Sequence, residues 1–248
     1  MNARLAFAAI VTAASAPLPA LAAVTIGTQI VDTRLTGTIA GAPLDSSASD
    51  AATGAGRVSA MAQLVERGTN GFPAVRARSS VVAELSSAER GRVTFQRSLS
   101  PGDIDSGNAV TTSSANYRYF FTTDQETMFD LDWGVGAFGD AGDGQTPGQA
   151  VSLGARGAGP SLLQLGTLGE GASGTTQLLL TPGSYEFWIT DAFAPIAAAG
   201  RSSGLSGQYS FAMRAVPEPE TWALMLAGFA AIGVAARRSR RRDSLPAR

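Results

Sequence analysis

Apolar and polar residues alternate one for one in three stretches of the C-terminal half. Phe129, Leu131, Trp133 and Val135 alternate with Asp130, Asp132, Gly134 and Gly136. Tyr185, Phe187 and Ile189 alternate with Glu186, Trp188 and Thr190, and Tyr209, Phe211 and Met213 with Ser210, Ala212 and Arg214. A period of two sends alternate side chains to opposite faces of an extended chain, so these stretches read as half-buried strands. Helical periodicity is scarce between Ala23 and Ala215. Further strand candidates are Val24 to Ile39, Val81 to Leu85, Arg92 to Arg97, Tyr117 to Thr122 and Thr176 to Leu180. In the first, the apolar set changes phase between Ile30 and Val31, which predicts a bulge or two separate strands. Met61 to Arg67 suits a short helix or a strand.

The connections are rich in turn residues. Thr181-Pro182-Gly183-Ser184 predicts a hairpin turn, with Pro at the second position and Gly at the third. Ser86 to Gly91 predicts another. Gly41 to Gly56, built from Ala, Ser, Gly and Asp, reads as a mobile loop, and Gly139 to Gly148 and Ala155 to Pro160 as Gly-rich loops. Many strands and few helices predict a mainly β fold, an antiparallel β-sandwich or jelly roll.

The two ends differ from this body. Arg4, the apolar run Leu5 to Ala16 and the small residues Ala20-Leu21-Ala22 have the order of a secretory signal peptide, with cleavage by signal peptidase after Ala22. At the other end, Trp222 to Ala236 is 15 residues without a charge, or roughly 22 Å of helix at 1.5 Å per residue. That is short for a hydrocarbon core of about 30 Å. Trp222 at one end and snorkelling Arg side chains at the other extend it. Gly228 and Gly233 leave notches where another helix could approach. Arg237, Arg238, Arg240, Arg241 and Arg242 follow at once, and the positive-inside rule keeps them cytoplasmic with the body outside. The expected order is therefore a signal peptide over 1–22, an exported β-sandwich over 23–215 with a mobile loop at 41–56, a tail segment over 216–242 with its apolar helix at 222–236 and Arg cluster at 237–242, and a cytoplasmic end over 243–248. The fold expectation thus includes an N-terminal signal helix and a short C-terminal transmembrane helix.

The tail reads Val216-Pro217-Glu218-Pro219-Glu220-Thr221-Trp222-Ala223-Leu224-Met225-Leu226-Ala227-Gly228. It resembles the PEP-CTERM sorting signal, which joins a Pro-Glu-Pro motif, a short apolar helix and an Arg-rich end. The resemblance implies that an integral-membrane exosortase recognises Pro217, Glu218 and Pro219 and processes the chain beside them. It also implies passage through the secretion translocon, a transient single-pass stay in the inner membrane, and delivery to the cell surface or the exopolysaccharide matrix. The two prolines hold the segment extended, a form that a processing enzyme can read. From Tyr117 to Ala215 the pattern Phe-Asp-Leu-Asp-Trp, Leu-Leu-Leu-Thr-Pro-Gly-Ser-Tyr-Glu-Phe-Trp-Ile and a closing Tyr-Ser-Phe strand resembles the small jelly-roll modules beside secreted bacterial peptidases. Those modules are accessory and noncatalytic.

Composition removes most chemistry. The chain has no His and no Cys, and all 19 of its basic residues are Arg. That excludes a Ser-His-Asp triad, a Cys nucleophile, a Schiff-base Lys, His-ligated zinc and a disulfide framework. Between Ala23 and Pro219 there are 12 Arg against 18 acids, a net charge near −6, which does not suit a nucleic-acid partner. Asp130 and Asp132 share one strand face, about 7 Å apart by strand rise, and could form a carboxylate pair or simply face solvent. Asp103 and Asp105, followed by Gly107, resemble the start of a calcium loop, and Asp140 and Asp143 lie in another Gly-rich loop; neither has a full ligand set. No cofactor is expected, with calcium the one ion these spacings would suit. Trp133 and Trp188 could form a sugar-stacking platform or pack internally. Three roles stay open: a noncatalytic structural or adhesive surface protein, a carbohydrate- or calcium-binding module, and a carboxylate-based hydrolase.

Overall fold

Each long strand of the body turns one row of apolar side chains inward, and the two sheets so formed face each other across the rows. The computed structural model describes residues 24–39, 42–67, 73–101, 109–139, 148–157, 161–168, 171–193, 196–197 and 202–216 of the body, and 223, 225–234 and 237 of a C-terminal helix. The strands are β1 (Val24–Ile39), β2 (Ala42–Thr53), β3 (Gly56–Arg67), β4 (Pro73–Ser87), β5 (Arg90–Pro101), β6 (Ala109–Thr123) and β7 (Thr127–Gly139). They continue as β8 (Gly148–Ala155), β9 (Ser161–Leu168), β10 (Ser173–Leu180), β11 (Gly183–Phe193), β12 (Ile196–Ala197) and β13 (Ser203–Ala215). All recorded pairings are antiparallel.

One sheet runs β2-β1-β6-β11-β8-β9, with β12 beside β6; the other runs β10-β7-β13-β5-β4-β3. Within them, β5 pairs β13, β6 pairs β11, β7 pairs β10 and β8 pairs β9. Early and late strands thus match in reverse order, as in one long hairpin wrapped across two sheets. This is jelly-roll topology, with four strands per sheet. The N-terminal strands extend it: β1 and β2 continue the first sheet, β3 and β4 the second.

The main core is aromatic. Tyr117, Tyr119, Phe121, Tyr185 and Phe187 of the first sheet meet Phe95, Phe129, Tyr209 and Phe211 of the second. Their rings stack or meet edge to face, as at Tyr119–Phe211, 5.6 Å, and Phe187–Phe211, 5.3 Å. Such pairs add about 0.5–1.5 kcal/mol each beyond the area they bury.

The local expectations fare unevenly. The alternating stretches bury the residues expected, with Phe129, Leu131, Tyr185, Phe187, Ile189, Tyr209, Phe211 and Met213 inward. Residues 61–67 belong to β3, and the turn after Ser87 does join the paired strands β4 and β5. Three readings are corrected. First, β1 is one strand whose bulge lies between Ile26 and Gln29, earlier than the apolar pattern suggests. Gln29 takes a buried inward position because its amide donates to the Gly56 carbonyl at 3.2 Å, and Ile30 turns to the outer face. A Cβ on Gly27, at the bulge, would lie 2.6 Å from the Phe120 carbonyl oxygen. Second, most of 41–56 is strand β2, which pairs β1 from Ile39↔Ala42 to Thr28↔Thr53. Backbone pairing needs no bulky side chains, and the small Ala48 and Ala52 suffice to pack against the core. Third, Thr181-Pro182-Gly183-Ser184 does not close a hairpin: β10 and β11 lie in different sheets, and the turn carries the chain between them.

The C-terminal helix stands as a separate unit from the body, whose compact unit is Ala22–Val216. Met225, Leu226, Phe229, Ile232 and Val234 are all exposed. Among the described residues no helix is long and apolar enough to cross a membrane. The expected transmembrane helix over 222–236 is therefore not shown; what the described residues show there is a short apolar helix. The expected signal helix lies outside the described residues.

Candidate functional site

The last strand, β13, stops at Ala215, and the Val216 amide donates to the Glu126 carbonyl at 2.9 Å. Helix residues follow at 223, 225–234 and 237. Its described residues from 225 to 234 are all apolar or glycine and exposed. Pro217, Glu218, Pro219, Trp222, Arg238, Arg240, Arg241 and Arg242 lie outside the described residues, as do Ala20 and Ala22; Arg237 is helical and exposed.

The body's candidate residues do not converge. Trp188, on β11, faces outward from the first sheet, directly across from Arg118 of β6, whose guanidinium lies 4.7 Å from the ring centroid. Beside it, the Arg156 guanidinium lies 5.1 Å from the Phe120 ring. Trp133 belongs to the second sheet and packs against the core, over Gly174 of β10, where a Cβ would lie 2.6 Å from the indole. The two indoles therefore sit on different sheets and form no common platform. Asp130 and Asp132 do share the outer face of β7, but Asp130 ion-pairs Arg214 at 3.4 Å. Asp132 instead borders a shallow depression of about 460 Å³ with Arg92, Gly134, Gly136, Ser206 and Gln208. Asp103, Asp105, Asp140 and Asp143 lie outside the described residues. Among the described residues, no three acids gather to hold a metal ion.

A buried polar belt is the feature that the strand pattern left unread. Thr33 of β1 donates to Ser79 of β4 at 2.7 Å. Arg97 of β5 donates to the Ser113 hydroxyl of β6 at 2.9 Å and to the Asp191 main-chain carbonyl of β11. The Asp191 carboxylate lies 2.6 Å from the same guanidinium. Tyr209 of β13 donates to the Gln149 side-chain carbonyl of β8. Every one of these contacts crosses from one sheet to the other. Along β1, β4 and β5 the belt divides Val31, Val81 and Phe95 of the aromatic core from Leu35, Ala77 and Leu99 of a smaller cluster. Burial pushes the Asp191 carboxyl up to about 6, against opposing pulls from Arg97 and the neighbouring Gln149 amide. Burial likewise pulls Arg97 down to about 10, with Asp191 opposing. The signal was available: Arg97 is in phase with Val93, Phe95 and Leu99, and Asp191 with Phe187 and Ile189. A charge at an inward position calls for a buried partner.

The described residues thus give a jelly-roll body followed by a short apolar C-terminal helix. Residues 215–242 match the family described as the PEP-CTERM protein-sorting motif. The motif implies export and membrane-anchored sorting before processing. No curated protein matches the chain. Two solved structures, of the Gt and Gx strains of infectious bursal disease virus, are similar at 11% and 9% identity. They cover 82% and 81% of this chain and 67% of each matched chain, with TM-scores of 0.15 and 0.14, too low to carry an argument. The likeness of the body to pre-peptidase modules is only weakly supported.

Proposed function

We propose that this chain is a noncatalytic structural or adhesive protein of the cell surface or exopolysaccharide matrix, released to that site by an exosortase that reads Pro217, Glu218 and Pro219. The observation that carries this reading is the motif match over 215–242, beginning at the last residue of β13. A cut beside Pro217-Glu218-Pro219 would leave every strand of the body intact. A noncatalytic role is favoured by the fate of the body's ionisable groups: Arg97 and Asp191 are spent on joining the sheets, and Asp130 on Arg214. The carbohydrate-binding alternative is less favoured, because Arg118 and Arg156 already cover a face of Trp188 and of Phe120.

The test is replacement of Pro217, Glu218 and Pro219 by Ala in the native host, followed by fractionation and mass measurement. The variant is expected to stay in the inner membrane at full precursor mass. Normal removal of its tail would sink the sorting reading.

A further inference from the structure

A sheet edge is a row of free N–H and C=O groups that will pair with any strand offered to it, and native sheets blunt their edges by charge, bulge, proline or cover. Among the described residues, apart from the two-residue β12, the strands at the ends of the two sheets are β2, β3, β9 and β10. On one flank, β2 carries Pro43, Asp45 and Asp50 and lies against β3. Asp50 accepts from the Ser59 amide at 2.9 Å and Ser46 from the Gln63 amide at 3.4 Å, so side chains of β2 occupy edge amides of β3. On the other flank, β9 pairs β8 with two register shifts, which twist an edge away from flat pairing.

Among the described residues, β10 has none of these devices. Its sequence, Ser-Gly-Thr-Thr-Gln-Leu-Leu-Leu, holds no charge and no proline. It pairs β7 in unbroken register from Ser173↔Gly134 to Leu180↔Thr127. Its outer face shows Ser173, Thr175, Gln177 and Leu179, all exposed, with Leu179 at 48%. Among the described residues no strand lies on its far side.

We infer that β10 is an interaction edge and that its partner is a second copy of this chain, added strand to strand about a two-fold axis. The neutrality of the strand argues for self-pairing. In an antiparallel β10–β10 ladder each residue faces a residue of the same strand, so a charged strand would oppose itself. This one places no like charges across the axis. Inward residues remain inward, and two six-stranded sheets become one continuous sheet. A single ladder is a small interface, so the association will depend on concentration.

The absence of native Cys makes the test direct. The full chain carrying Gln177→Cys, in mild detergent, is treated with a short bis-maleimide and resolved by denaturing electrophoresis. A cross-linked dimer is expected, falling several-fold when Thr175→Lys and Leu179→Lys are added. The same two lysines should leave the circular dichroism spectrum and thermal midpoint unchanged. Ser47→Cys, on the closed flank, should give little dimer. Absence of dimer from Gln177→Cys, equal dimer from Ser47→Cys, or dimer that survives the lysines in the folded protein would each overturn the inference.

Discussion

Arg97 and Asp191 meet with 2.6 Å between guanidinium and carboxylate, each side chain only 1% exposed, one on β5 and the other on β11. They are far apart in the chain and lie in opposite sheets, so the pair fixes how the two halves of the sandwich register. Breaking such a pair leaves one buried charge unpaired, at about 3–5 kcal/mol, whereas replacing both partners by apolar residues is often neutral or stabilising. Arg97→Met and Asp191→Leu alone should each lower the unfolding free energy by that amount, and the double variant should recover most of it. Denaturant titration of all four proteins measures this; additive losses in the double variant would contradict it.

The same carboxyl sets a pH dependence. Asp191 is raised in the fold to about 6 from 3.8, chiefly by burial. The folded protein therefore holds a proton that the unfolded chain has released between those values. Stability from this group is full below about pH 4 and is lost as pH rises through 6, by at most about 1.4 kcal/mol per pH unit. Exposed Asp45, held down by Arg34, acts in the opposite sense. Unfolding midpoints between pH 4 and 6 should fall more steeply with rising pH in the parent than in the Arg97→Met/Asp191→Leu variant. Equal slopes would remove Asp191 as the cause.

Gly27 should tolerate no side chain. The obstacle is the Phe120 carbonyl, part of the β6 backbone, 2.6 Å from where a Cβ would sit. Gly27→Ala is expected to cost about 1–3 kcal/mol. Gly134→Ala, where nothing lies within 4 Å, should change stability by less than about 0.5 kcal/mol. Thermal melts of the two variants side by side give the comparison.

Neutralising Arg237, Arg238, Arg240, Arg241 and Arg242 should loosen the orientation of the tail while the body still folds. The Arg cluster is what the positive-inside rule acts on, and the apolar helix before it is short. Protease treatment of intact and opened cells would show a mixed-topology population. Unchanged topology and retention would mean that the cluster does not orient the tail.

Much of the body was legible because alternation is a local property. Phe129 to Val135, Tyr185 to Ile189 and Tyr209 to Met213 each declare which face is buried without reference to any partner. The errors arose where a distant group decides. Ile30 looks inward by hydrophobicity, yet Gln29 takes the inward place because Gly54 and Gly56 at the next turn offer it carbonyls. Residues 42–53 look like a loop by composition, yet β1 supplies a backbone partner along their whole length. Pro182-Gly183 bends the chain as expected, but the partners of the strands on either side belong to different sheets.

By itself the sequence determined the mainly β class, the alternating strands around 129–135, 185–189 and 209–213, and the sorting signal over 216–242. Each depends on residues adjacent in the chain, whether through the two-residue repeat of a strand or through an extended Pro-Glu-Pro segment followed by its apolar helix and arginines. Only the tertiary structure decided the jelly-roll order, the belt that unites Arg97, Ser113, Gln149, Asp191 and Tyr209, and the place of β10 at the end of its sheet. Those depend on which strands lie side by side, and strand pairing is made between segments whose separation along the chain leaves no periodic trace in it.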